Sequence, residues 1–215
     1  MRFALGMALA VFAALLAASP SKAQQIPRQP EIPTIASTLD FQLSIVEFEF
    51  VSAADAMPEE KYSFAPTNGE FKGVRTFAQQ VKHVAFENDQ LFGAILGQPV
   101  STGPSEGEGS NGPDAIQTKE QIMKYLRDSF ANAHKAIATI TPENSVTVMK
   151  TPPSPFFRTP LALASFGAVH GMDHYGQVVE YLRMNGIVPP ASRPRPQPQT
   201  PPQQQAQPQA QPPSR

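Results

Sequence analysis

Four stretches of this chain bring apolar residues back roughly every three or four positions, and segments rich in proline and glycine separate them. That spacing stacks side chains on one face of an α-helix. No stretch shows the sustained alternation of a strand. The pattern restricts the chain to the all-α class, as a bundle of four long helices in one domain.

The first helix is expected over Leu39 to Ala56, with Leu39, Leu43, Val46, Phe50 and Ala54 on one stripe and Phe41, Ile45 and Phe48 on a second side. Met57-Pro58 ends it, because proline disfavours helix in the residue before it. Residues 58–73 read as a loop. Thr76 opens a second helix to about Leu96, with Phe77, Val81, Val84, Phe92 and Ile95 inward and Gly97 as its stop. Residues 98–114 are rich in Gly, Ser and Pro, and form a long link by ordinary standards. A link of that length frees helices 2 and 3 from being tight antiparallel neighbours. The third helix is expected from about Ala115 to Ile140, through Ile122, Leu126, Phe130, Ala133 and Ile137. After a proline-dense loop over residues 142–157, the fourth runs from near Pro160 to about Asn185, where Asn185-Gly186 signals a C-cap.

Both ends of the chain read differently from this middle. Arg2, the apolar run from Phe3 to Ala18 and Ser21-Lys22-Ala23 have the three-part form of a secretory signal peptide, so residues 1–23 are expected to be removed. Export to the periplasm or the extracellular space follows. No second long apolar run is present, so no membrane span is expected after cleavage. Residues 24–34 form a polar leader. Ala191 to Arg215 is mostly Pro, Gln and Ala with a few Arg, a composition that cannot bury a core and reads as a disordered tail. The remainder, 35–190, is about 150 residues, enough for one core. The 17 basic and 18 acidic residues nearly cancel, which removes any charge argument for a nucleic-acid partner. With no cysteine, thiolate chemistry, disulfides and iron–sulfur clusters are excluded. A metal site must then use His, Asp, Glu or water, a donor set suited to zinc, nickel, iron or manganese.

The histidines are His83, His134, His170 and His174. His170 and His174, at i and i+4 on the fourth helix, stand one turn apart on one face and can chelate one ion. On a helical wheel the apolar stripe of that helix holds Leu161, Ala168, Met172, Tyr175, Val179 and Leu182, with His170, His174, Gln177 and Tyr181 roughly opposite. His83 also lies off its helix's apolar stripe, beside Gln79, Glu87 and Gln90. These positions fit either solvated surface histidines or a polar cleft beside the core. His134 has no such partner and reads as a structural or partly exposed histidine.

Several of these segments resemble the DinB-like family of four-helix bundles. The matching pieces are Met57-Pro58-Glu59-Glu60-Lys61-Tyr62, the run from Thr76 to Ala85 containing His83, and His170 to Pro190, with His174-Tyr175-Gly176-Gln177, Tyr181-Leu182-Arg183 and Asn185-Gly186-Ile187-Val188-Pro189-Pro190. The resemblance covers about residues 35 to 190. It implies an up-down-down-up bundle with the helix 2–3 link as crossover, a divalent metal held by His83, His170 and His174, and often a homodimer. Some members use low-molecular-weight thiols in transferase or isomerase reactions where cytosolic thiols are available, and the expected export separates this chain from them.

Three neutral imidazoles leave an open coordination position on a zinc-like ion. Water there becomes acidic enough to attack a carbonyl or phosphoryl centre. A metal-dependent hydrolase acting on a small-molecule substrate is the simplest enzyme reading, with zinc or nickel as the ion and a thiol-dependent transferase behind it. Glu87, one turn after His83, is the carboxylate candidate for a base, its other reading being a solvated surface glutamate. Asp173 is placed to steady an imidazole N–H, and Gln177 and Tyr181 either to line the pocket or to serve as packing or capping residues. A non-catalytic metal- or ligand-binding envelope protein, or a scaffold that works through its Pro/Gln tail, are the readings in competition.

Overall fold

The computed structural model describes residues 28–99 and 110–194. The expected signal peptide and residues 195–215 of the expected tail lie outside the described residues. Within them the chain forms α1 (Ile35–Ala56), α2 (Phe77–Ile95), α3 (Lys119–Ala138) and α4 (Pro160–Met184), with short 3-10 turns at Glu59–Lys61 and Pro190–Ser192. No strand occurs among the described residues.

A threonine starts every helix. The side chains of Thr34, Thr76, Thr118 and Thr159 accept from the backbone N–H of Ser37, Gln79, Gln121 and Ala162, and the first three of these bonds are returned by the side chain at that third position. Each cap satisfies helix-end N–H groups and contributes about 1 kcal/mol. The caps also correct two boundaries. α1 begins at Ile35, ahead of the expected Leu39, because Thr34 and Ser37 form a capping box. α3 begins at Lys119, later than Ala115, because the Thr118–Gln121 box sets its start. Met57, in extended conformation, ends α1 before Pro58 as expected.

Cross-helix pairs define the topology. Between α1 and α3, His134 meets Asp40 and Glu47 while Lys119 meets Asp55, so these helices run antiparallel. Between α2 and α4, Gln80 meets Gln177 while Phe92 lies against Gly167, again antiparallel. Val46 packs on Gly171 and Lys61 reaches Asn185, which makes α1 and α4 parallel. Lys82 meets Pro113 and Asn88 meets Ser129, so α2 and α3 are parallel. The order is up-down-down-up. A parallel α2–α3 pair requires their link to travel the length of the bundle, about 28 Å for a helix the size of α2.

The core runs along the bundle axis. Leu39, Leu43, Val46, Phe50 and Ala54 of α1, Phe77, Val81, Val84 and Phe92 of α2, and Ile122, Leu126, Phe130, Ala133 and Ile137 of α3 are all buried, as the periodicity required. α4 departs from expectation. Its buried face is Leu163, Ala164, Gly167, Gly171, His174, Val178, Tyr181 and Leu182, whereas Met172 of the expected apolar stripe is exposed. Two glycines cause the shift. A Cβ on Gly167 would stand 2.7 Å from the Phe92 ring, and one on Gly171 2.6 Å from a Val46 methyl. Bare backbone at these positions lets α2 and α1 close on a face that a wheel of side-chain hydropathy does not register as apolar. The turn at Pro190–Ser192 packs against α1, so ordered chain continues past residue 190.

Candidate metal centre

His83 stands on the second turn of α2, and His170 and His174 on adjacent turns of α4 facing it. Their ligating nitrogens all lie within 4.8 Å of one another. The Nε2 atoms of His83 and His170 are 3.2 Å apart. Two imidazole nitrogens sharing one zinc-like ion at 2.0–2.1 Å would be separated by about 3.3 Å in tetrahedral geometry. His83 and His174 are each only 5% exposed, and His170 is half-buried. The cluster is therefore inside the α2–α4 interface and not on a separate polar face, and the solvated-surface reading of His83 is overturned.

Hydrogen bonds fix which nitrogen two of the rings offer. The Nδ1 of His83 is 2.8 Å from the Ser110 carbonyl oxygen. A carbonyl only accepts, so Nδ1 carries the proton and the Nε2 lone pair is free for an ion. The Nδ1 of His174 is 2.7 Å from Oε1 of Gln80, with the same consequence. Ser110 is presented by the end of the crossover link. Arg75 grips it there, donating from Nε to Asn111 at 2.8 Å and from a terminal nitrogen to the Ser110 hydroxyl at 2.8 Å. Lys82 donates to the Pro113 carbonyl at 3.1 Å. Gly112 makes the close approach feasible, with φ of +75° and a would-be Cβ 3.0 Å from Lys82.

All three rings are held neutral. Burial, followed by the His83 ring, pushes His170 down to about 4. Burial, followed by the His170 and His83 rings, takes His174 down to about 3. Burial lowers His83 as well, against the opposing Ser110 bond. Neutral imidazole is the ligand form, and the donor set, the spacing and the fixed tautomers of His83 and His174 fit a divalent ion.

Glu87 is 9% exposed, so it is not a solvated surface residue. Burial raises its carboxyl to about 7, against the pull of Arg75. It lies one turn from His83, about 6 Å along the axis, and is outside the three-histidine group. Asp173 does not meet an imidazole N–H directly. Its carboxylate accepts from Gln177, at 3.0 Å. Gln177 in turn accepts from Gln80 at 2.8 Å. Tyr181 is buried, and its hydroxyl donates to the Arg75 carbonyl at 3.0 Å, bracing the ring of residues around the centre. His134 stays apart, between Asp40 and Glu47.

Sequence reasoning missed Gln80, Arg75 and Ser110. Gln80 was legible in principle, since it precedes His83 by three positions and shares its face. Gln79, which was placed beside His83, belongs to the helix cap instead. Arg75 and Ser110 are brought in by the return of the link, which no local spacing encodes.

Comparison with curated proteins returned no match. A family model, that of the DinB superfamily, matches residues 42–178. That span is well over half of the 215 residues and carries all three clustered histidines, so the chain belongs to the DinB superfamily.

Proposed function

We propose that this protein is exported, binds one divalent ion, zinc or nickel, through His83, His170 and His174, and hydrolyses a small-molecule substrate there. The observation that carries the reading is the convergence of three neutral imidazoles within 4.8 Å, two of them with Nδ1 committed to protein acceptors. Membership of the DinB superfamily supports it. A bound ion would lower the pKa of its water toward about 7. Glu87 is the group of this chain suited to handle the proton, because a carboxyl titrating at about 7 can both release and take one up near neutrality. For export the support is the signal-peptide pattern of residues 1–23. Among the described residues no helix is long and apolar enough to cross a membrane.

A second reading is metal binding without turnover. It draws on the enclosure of His83 and His174 and on the absence of a carboxylate from the ligand group.

Elemental analysis of protein purified without a histidine tag, joined to assays against ester, amide, phosphate and thiol-conjugate panels, separates the two. The hydrolase reading expects one equivalent of ion and turnover that disappears in His174→Ala, with helical circular dichroism retained, and falls at least tenfold in Glu87→Gln. Stoichiometric metal with no turnover supports the second reading. A protein that binds no divalent ion sinks both.

A further inference from the structure

We propose that Gln80 is a positioning residue for the centre, the middle link of a one-way hydrogen-bond chain, Asp173–Gln177–Gln80–His174, that holds His174 as an Nε2 ligand. The proposal rests on the metal-centre reading for its purpose but not for its geometry.

The chain is polar because of how it ends. The Asp173 carboxylate, on the exposed side of α4, only accepts. Gln177 must therefore turn its NH2 toward it, and does so at 3.0 Å. This leaves the Gln177 carbonyl facing Gln80, whose Nε2 donates to it at 2.8 Å. The Gln80 carbonyl is then directed at His174, 2.7 Å from Nδ1. A carbonyl there requires a proton on Nδ1 and leaves the Nε2 lone pair for an ion.

The Gln177 carbonyl sets one orientation of the Gln80 amide, with its nitrogen toward Gln177 and its oxygen toward His174. The reversed Gln80 amide would place carbonyl against carbonyl at Gln177 and force the proton of His174 onto Nε2, where no ion can be held. Gln80 is 1% exposed, so no solvent molecule substitutes for these partners. The chain also crosses from α4 to α2 and back, tying together the two helices that carry the ligands.

The test is long-range proton–nitrogen NMR of histidine-labelled full chain treated with chelator, together with Zn2+ affinity from competition with a chromophoric chelator. Wild type should show His174 as the Nδ1–H tautomer. Gln80→Leu should lose this preference and bind Zn2+ roughly 10–100-fold more weakly. Gln80→Glu restores an acceptor and should recover the Nδ1–H tautomer and most of the affinity, a rescue that a purely packing role would not produce. Asp173→Asn, on the surface and harmless to folding, should lose a few-fold in affinity. An Nε2–H His174 in wild type overturns the proposal whatever the variants do, as does a folded Gln80→Leu with unchanged Zn2+ affinity. Wild type that shows Nδ1–H yet binds no Zn2+ refutes the metal reading while leaving the chain intact.

Discussion

His134 and His174 show one residue type driven in opposite directions by its surroundings. His174 is enclosed with two other imidazoles and stays neutral. His134, on α3, reaches across to α1, with Nδ1 2.6 Å from Asp40 and Nε2 3.2 Å from Glu47. Both ring nitrogens can donate only when the imidazole is charged. The Glu47 bond raises its pKa most, burial opposes, and Asp40 adds to the rise. Because the folded-state pKa is raised above the unfolded value near 6.5, the strut's contribution is complete below about pH 6.5 and is lost as pH climbs through the folded value. His134→Gln should therefore destabilise by about 1 kcal/mol at pH 5.5 and by much less at pH 9, read from urea midpoints. An equal loss at both pH values would remove the charged strut. From spacing alone His134 has no partner within a helical turn. Its partners lie 94 and 87 positions away, so its structural role was legible and its charge was not.

α4 is the element in which pattern and packing part company. Leu163, Val178 and Leu182 mark part of its buried face, but Gly167, Gly171 and His174 complete it. Hydropathy assigns little to glycine and counts histidine as polar, so the wheel rotated toward Met172 and Val179. In the bundle those glycines take the Phe92 and Val46 side chains of the neighbouring helices where a Cβ would stand. Gly167→Ala should lower stability by about 1–2 kcal/mol in thermal or urea denaturation. Overpacking against the buried Phe92 ring costs about 1–3 kcal/mol, and the gain in helix propensity returns at most about 1. A more stable Gly167→Ala would show that Phe92 has room to move. On α1, α2 and α3 the apolar stripes were legible because large side chains define them. The start of α2 at Thr76 was legible too, whereas those of α1 and α3 were not, since each depends on which threonine closes a cap.

In the whole bundle the three histidines face one another between α2 and α4. Parallel α2 and α3 send the crossover link back along the molecule, and its end supplies the Ser110 carbonyl to His83. Metal ligation would then tie α2, α4 and the link at one point. An ion that binds only the folded chain stabilises it by about 2.7 kcal/mol at 100 times its Kd. For a domain of this size, chelation with EDTA should lower Tm by roughly 5–10 °C, and His174→Ala should show no such shift. A chelator effect equal in wild type and His174→Ala would place the ion elsewhere.

By itself the sequence determined the number of helices, the class of fold and most of the core on three of them, because each depends on local periodicity, while the set of three histidines was legible only with the family resemblance added. The tertiary structure decided which face of α4 is buried, that Glu87 is buried enough to titrate near neutrality, and which nitrogens the histidines offer. Those properties arise from contacts across the bundle. Gln80 reaches His174 over 94 positions and Ser110 reaches His83 over 27, and the burial that keeps the imidazoles neutral exists only once the helices have closed on one another.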